Sequence, residues 1–254
     1  MNILITNDDG VTARGLVELR KKLLDLGHTV MVVAPDRNCS ANSHSLTVRG
    51  AVIFKWAEAD IVMVQGTPVD CMYLAMNGLL DFTPDLVISG INDGENLGDD
   101  ALYSGTLAAA TEAVLAGVPA IAVSLVYDSC IETALKVVEW ALTNEIYLKY
   151  KLFNINIPAV LYDDLAGFLL TRQGFRNIGA RSKIEILQLR GESGFFVGKP
   201  SVPLDAFVNI KYDFGAIAKN FVSITPIDID HTYKDIEELF EKFSCISNNA
   251  LIGK

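Results

Sequence analysis

The residues best placed to do chemistry are two adjacent carboxylates, Asp8 and Asp9, which end a short apolar run from Ile3 to Thr6 and precede Gly10. Carboxylates about 4 Å apart at an effective dielectric of about 20 repel by roughly 4 kcal/mol. A hard divalent cation relieves the repulsion and makes both acids ligands. A solvated turn with one acid capping the next helix is the plain alternative. The Ser40 hydroxyl and the Asn92 amide carbonyl would complete an all-oxygen set with Asp8 and Asp9, suited to Mg²⁺ or Mn²⁺ rather than zinc. Further on, Ser104-Gly105-Thr106 opens an alanine-rich stretch. Hydroxyls and unpaired N–H groups at a helix N-terminus form an anion site, and glycine lets the backbone come close. Taken alone, the tripeptide reads as an ordinary helix cap. Cation donors and a phosphate-sized cradle on one edge together point to phosphoryl transfer or phosphate hydrolysis. His44, four residues past Ser40, is a candidate proton donor to a leaving oxygen, set against the plain reading of an exposed loop histidine.

These residues need a scaffold that brings distant loops together, and the chain pattern supplies one. Ile3–Thr6 reads as a strand, and Leu16, Leu19, Leu23 and Leu26 mark a helix closing at Gly27. His28–Ala34 is a buried strand stopped by Pro35, so the opening is a βαβ unit. Val48–Trp56 and Ile61–Gln65 suggest a hairpin. Val69, Met72, Tyr73, Met76 and Leu80 mark a helix opened by Pro68. Leu86–Ser89 and Ala120–Leu125 read as strands, with helices over Thr106–Ala116 and through Ile131, Leu135, Val138 and Leu142. This alternation predicts an α/β fold, a doubly wound, mostly parallel sheet with right-handed crossovers. In such sheets ligands bind beyond the carboxyl ends of the strands. The segments after strand 1, at Asn38–Ser45 and at Asn92–Asp100 all fall there.

Beyond Phe153 shorter β-like pieces follow: Phe153–Ile157, Gly167–Thr171, Lys183–Leu189, Phe195–Gly198 and Phe221–Ile224. A final helix carries Ile236, Leu239, Phe240 and Phe243 on one face. The expected organisation is a single α/β domain over 1–254. Its core covers about 1–171, a β-rich appendage about 172–220, and a C-terminal strand and helix 221–254.

Composition narrows the function classes. The 254 residues carry 21 Lys and Arg against 31 Asp and Glu, a net charge of −10. That is no footprint of a nucleic-acid duplex binder or an anionic-membrane binder. Cys39, Cys71, Cys130 and Cys245 form no Cys-x-x-Cys, and His28, His44 and His231 form no His-Glu-x-x-His, so a zinc framework is not expected. The N-terminus reaches two acids after one short apolar run and reads as no signal peptide. Ala101–Val126 carries one charge, Glu112, but Gly105, Gly117 and Pro119 divide it into helix and strand rather than a membrane span. A cytoplasmic protein is expected. Gly10 and Gly15 do not make the Gly-x-Gly-x-x-Gly of a dinucleotide site. Asn7-Asp8-Asp9 lacks the Asp-x-Asp of phospho-aspartyl phosphatases. A receiver module has paired acids after strand 1 but is about half this length.

Taken in order, the sequence words resemble those of the survival protein E (SurE) family of metal-dependent 5′-nucleotidases. They are ILITNDDG (Ile3–Gly10), VVAPDRN (Val32–Asn38) with Ser40, GTPVDC (Gly66–Cys71), PDLVISGIN with NLGDD (Pro84–Asp100), YSGT (Tyr103–Thr106) and VSITP (Val222–Pro226). The resemblance implies a Rossmann-like fold and hydrolysis of nucleoside 5′-monophosphates, with 3′-nucleotides and polyphosphate as further substrates in relatives. It implies one divalent metal ion per subunit on Asp8, Asp9, Ser40 and Asn92, with Asp8 and Asp9 the catalytic pair. Phosphate binding falls on Asn96, Ser104, Gly105 and Thr106, and assembly on a homodimer or homotetramer through C-terminal exchange. Ala41-Asn42-Ser43-His44 after Ser40, and Glu95 in place of a common proline, depart from the family pattern. A non-catalytic nucleotide or phosphate sensor using the same edge is the competing reading.

Overall fold

The computed structural model describes residues 1–126, 130–175, 186–190, 192–195 and 208–232. Its elements run β1 (Asn2–Thr6), α1 (Arg14–Asp25), β2 (Thr29–Pro35), β3 (Ile53–Glu58), β4 (Ile61–Gln65), α2 (Pro68–Leu74), β5 (Leu86–Asp93) and α3 (Gly105–Leu115). They continue with β6 (Ala120–Leu125), α4 (Ile131–Thr143), β7 (Leu152–Ile157), β8 (Gly167–Leu170), β9 (Ile186–Leu189), β10 (Glu192–Phe195), α5 (Asp213–Ile217) and β11 (Phe221–Pro226). Among the described residues nine strands form one sheet in the order β3-β4-β2-β1-β5-β6-β7-β11-β8, and β9 and β10 pair apart from it.

From β4 across to β7 every pairing is parallel. The order also shows where the chain reverses. After β1 it builds outward through β2 and β4, then returns to the other flank of β1 to lay down β5. Loops leaving β1 and β5 therefore diverge, and a crevice opens between them at the carboxyl edge. On the far side β11 lies between β7 and β8, antiparallel to β7 and parallel to β8, which forms the edge.

Two apolar layers sandwich the sheet. On one face Ile3, Ile5, Val32, Ile88, Val123 and Ile155 pack with Leu16, Leu19 and Leu23 of α1 and Leu135 and Val138 of α4. On the other, Leu4, Val33, Val62 and Ala122 pack with Met72 of α2 and Ala109, Ala110 and Ala113 of α3. The alanines let α3 lie close to the strands beneath it. That explains the low-charge run from Ala101 to Val126, which divides into a short 3₁₀ turn, α3 and β6. No helix among the described residues is long and apolar enough to cross a membrane.

Element boundaries depart from the sequence reading where local chemistry intervenes. Helix α2 stops at Leu74, and the chain runs on through a wider turn because Asn77 and Gly78 leave helical geometry. Strand β5 runs on to Asp93, past the expected Ser89. Gly90, at φ +134°, shifts the register with β6, and a Cβ there would collide with the Val123 carbonyl. Strand β3 begins at Ile53 instead of Val48 and is exposed along its length as the sheet edge. In the appendage, β10 covers Glu192–Phe195 and pairs antiparallel with β9, while the expected strand Phe195–Gly198 lies, past Phe195, outside the described residues. The terminal helix through Ile236, Leu239, Phe240 and Phe243 lies outside the described residues.

Candidate active site

At the end of β1 the chain turns on Asn7, whose buried amide grips Gly10 twice. Its Nδ2 donates to the Gly10 carbonyl at 2.9 Å and its Oδ1 accepts from the Gly10 N–H at 3.1 Å. An aspartate could only accept there. The turn presents Asp8 inward and Asp9 toward the crevice.

Asp8 is buried, 4% exposed. Thr106 Oγ1 donates to its Oδ1 at 2.6 Å, so the carboxylate is fastened to the N-terminus of α3. Gly105 is required by this approach, since a Cβ there would lie 2.9 Å from Asp8 Oδ2 and 2.8 Å from Asp8 Cβ. Burial pushes the Asp8 carboxyl above its ordinary range, while the Thr106 hydroxyl and the backbone N–H groups of Thr106 and Gly105 pull it back. Asp9 accepts from the Asp93 N–H at 3.2 Å and from Asn38 Nδ2 at 3.3 Å. Burial lifts it to about 6, opposed by the Asp93 N–H and assisted by the charges of Asp8 and Asp93. Both acids carry charge that their surroundings under-compensate.

Asn92 is 8% exposed at the end of β5, and its Nδ2 donates to the Gly94 carbonyl at 2.8 Å. That bond commits the amide nitrogen and turns the carbonyl oxygen the other way. Ser40 arrives on the loop after β2. The Cys39 N–H donates to the Asp8 carbonyl at 2.7 Å, and the Ser40 N–H donates to Asn38 Oδ1 at 2.8 Å. Farther along, Asp70 at the start of α2 accepts from the Thr47 N–H at 2.8 Å and from its hydroxyl at 2.7 Å. The loop is thus pinned at both ends. Among the described residues no three His, Cys, Asp or Glu side chains stand together as a metal cluster. The oxygens that could serve a cation at this edge are those of the two carboxylates, the Asn92 amide and the Ser40 hydroxyl, and such donors suit a hard divalent ion.

The residues expected at phosphate have partners of their own. Ser104 caps α3, its Oγ accepting from the Leu107 N–H at 3.0 Å, which leaves the hydroxyl proton to donate elsewhere. Thr106 is committed to Asp8. Asn96 is held on every side. Its N–H donates to Asn156 Oδ1 at 2.8 Å, its Nδ2 donates to Ser124 Oγ at 2.8 Å, and its carbonyl accepts from Asn154 Nδ2 at 2.8 Å. His44 lies on the loop that follows β2. Its Nε2 pairs with Glu112 Oε1 at 2.5 Å, toward the far end of α3.

Sequence reasoning missed four supporting residues. Asn154 and Asn156 underpin Asn96, and their signal was the polar alternation within the otherwise apolar Leu152–Ile157. Asn38 reaches Asp9. Asp213 is fully buried and accepts from the Gly98 N–H at 2.6 Å, the Phe214 N–H at 2.8 Å and the Gly174 N–H at 2.9 Å. Burial raises its carboxyl and those three donors lower it.

The family model described as survival protein SurE matches residues 3–180. The chain is 43% identical over 240 residues to a protein of Aliivibrio fischeri named 5′-nucleotidase SurE, covering 92% of this chain and 91% of that one. It is 44% identical over 241 residues to the protein of that name from Nitrosomonas europaea, covering 92% and 96%. The crystal structure of the SurE protein from Aquifex aeolicus superposes with a TM-score of 0.81 at 32% identity, covering 96% of this chain and all of that one.

Proposed function

The chain belongs to the SurE family, and on that premise we propose that it is a divalent-metal-dependent phosphomonoesterase releasing phosphate from nucleoside 5′-monophosphates. The observation that carries this reading is the Thr106–Asp8 hydrogen bond, which joins an under-compensated acidic pair to the N-terminus of α3. A cation site and an anion site meet at that bond.

In this reading Asp8 and Asp9 hold one Mg²⁺ or Mn²⁺ ion per subunit, with the Asn92 carbonyl and the Ser40 hydroxyl completing the set. When bound, the cation polarises a phosphoryl oxygen and acidifies the attacking water. Asp9, on the crevice side of the pair, orients that water through a carboxylate oxygen. Ser104 donates its free hydroxyl proton to a phosphoryl oxygen, and Gly105 lets the phosphate approach the backbone. Thr106 acts through Asp8, holding the carboxylate in place, and Asn96 fixes the loop that closes the phosphate side. The subunits assemble at least as homodimers, which light scattering on the intact protein tests.

The decisive assay is phosphate release from AMP and GMP with added Mn²⁺ or Mg²⁺. Turnover that EDTA abolishes and either ion restores supports the reading. Saturable nucleotide binding with no turnover across several metals and pH values would replace it with a sensor.

A further inference from the structure

The edge that carries the acids has two sides. Ser104 and Gly105 approach it from the α3 face of the sheet, where Thr106 holds Asp8. Asp9 and Asn92 also border a separate cavity of about 250 Å³ toward the opposite face. Its floor is apolar, because Ile91, Leu125 and Ile131 belong to the layer packed with α1 and α4. Arg14 and Asp93, both exposed, line it on the solvent side. One wall is close-packed backbone, since a Cβ on Gly15 would collide with the Ile91 carbonyl oxygen. The acidic pair thus stands as a partition, with the anion cradle on one side and a small chamber on the other.

We propose that this chamber receives the attacking oxygen and admits a small neutral alcohol in place of water, which gives the protein a phosphotransferase activity; the inference rests on the phosphomonoesterase reading above. Direction is the first argument. In-line displacement sets the attacking and leaving oxygens on opposite sides of phosphorus. A volume of about 250 Å³ falls below the roughly 300–1,000 Å³ of ligand pockets. The nucleoside therefore departs away from the chamber, which is left to the nucleophile. Size is the second. The chamber is several times larger than the roughly 30 Å³ that one water occupies, so a two- or three-carbon polyol also fits. Lining chemistry is the third. Ile91, Leu125 and Ile131 accommodate a short carbon chain, and Asp9 and Asp93 accept from its hydroxyls. The same two carboxylates disfavour an anionic acceptor and so select a neutral one. In the transfer the acceptor oxygen bonds to phosphorus while the bond from phosphorus to the nucleoside oxygen breaks. The proton given up by the acceptor hydroxyl matches the one gained by the nucleoside oxygen. AMP and glycerol thus become adenosine and glycerol phosphate, with no further reactant.

The test compares two products of one reaction. Wild-type protein is given AMP and Mn²⁺ in buffer containing glycerol, and adenosine and inorganic phosphate are both measured. Adenosine is expected to exceed phosphate, with the difference recovered as glycerol phosphate by ³¹P NMR. Equal amounts overturn the transferase and leave the phosphatase standing. No adenosine at all removes the phosphatase reading and the transferase with it. Ala13 lines the chamber and caps α1 without a side-chain hydrogen bond, so Ala13→Phe narrows the space without breaking a side-chain bond. The ratio of glycerol transfer to hydrolysis is expected to fall by about tenfold in this variant, and transfer to methanol, a smaller acceptor, by much less. A thermal melt reports whether the variant is folded. An Ala13→Phe protein that transfers to glycerol as the wild type does places the acceptor elsewhere and overturns the chamber. A readout without turnover comes from crystals of the metal-free protein soaked in glycerol. Glycerol in the chamber, within hydrogen-bond reach of Asp9 or Asp93, supports the assignment, and glycerol found only elsewhere overturns it.

Discussion

Along β6 and β7 the residues facing α4 are Ile121, Val123, Leu125, Phe153, Ile155 and Ile157, all in one apolar cluster. Those on the opposite face of the same strands are Ala120, Ala122, Ser124, Leu152, Asn154 and Asn156. One face is continuous hydrocarbon. The other turns polar toward the carboxyl edge, where Ser124, Asn154 and Asn156 receive the backbone and side chain of Asn96. Buried polar groups cost free energy unless paired, and here the pairing fixes a loop in position. The difference teaches that the two faces divide the labour: the α1/α4 face holds the sheet together, and the α3 face holds the site.

The comparison breaks most visibly at the acids. Asp8→Asn is expected to lower kcat/KM for AMP by about 10²–10³-fold. The same change should raise the melting temperature of the metal-free protein, because it removes a buried charge while keeping an acceptor for Thr106. Steady-state kinetics and a thermal melt after EDTA treatment check both halves, and a lowered melting temperature would refute the second.

One layer down, Asn156→Leu leaves the Asn96 N–H without its acceptor and should cost about 1–3 kcal/mol by chemical denaturation. Activity should fall by about tenfold, because the loop beside the phosphate loses its position. Stability loss with full activity would break the assignment of that face to the site.

Protonation separates the faces as well. Asp9 titrates near 6 when folded, above its ordinary 3.8, so the folded state binds that proton more tightly than the unfolded state. Metal-free stability from this group is therefore greatest below about pH 4 and declines as pH rises through about 6. Asp8 acts in the same direction. A pH series of melts on metal-free protein should show this decline, flattened in Asp9→Asn; identical slopes would exclude the linkage. The smallest effect is expected at the apolar face, where Ile155→Val should cost about 1 kcal/mol and leave kcat/KM within about twofold of wild type.

These contrasts also mark what could be read from the sequence. Apolar runs such as Ile3–Thr6 and Ala120–Leu125 revealed strands because burial on both faces leaves a continuous hydrophobic signal. Asp8, Asp9 and Asn92 were legible because strand ends at a chain reversal form a crevice, and acids and amides there stand out. Strand β5 was cut short because Gly90 looks like a stop, whereas its freedom at positive φ lets the strand bend and continue. Asn96 entered through family resemblance alone. Asn154 and Asn156 escaped because their polar alternation marks a stripe but not its partner, which lies 58 and 60 residues away. The bond by which Thr106 holds Asp8 spans 98 residues, a separation no local pattern encodes.

Asp213 sets an order in time. It accepts the Gly98 N–H across 115 residues and the Gly174 N–H across 39, so the turn beyond Asn96 is tied to a part of the chain made much later. During synthesis, β1 to β7 can emerge and pair while that turn still lacks its anchor. Contacts of such long separation form only after their loop closes, and they form late. A nascent chain that ends short of Asp213 therefore carries the acidic pair and the helix that meets it, but not a finished loop beside them. That anchor arrives only when α5 has been made, and a chain stalled or clipped before it leaves the turn unfastened.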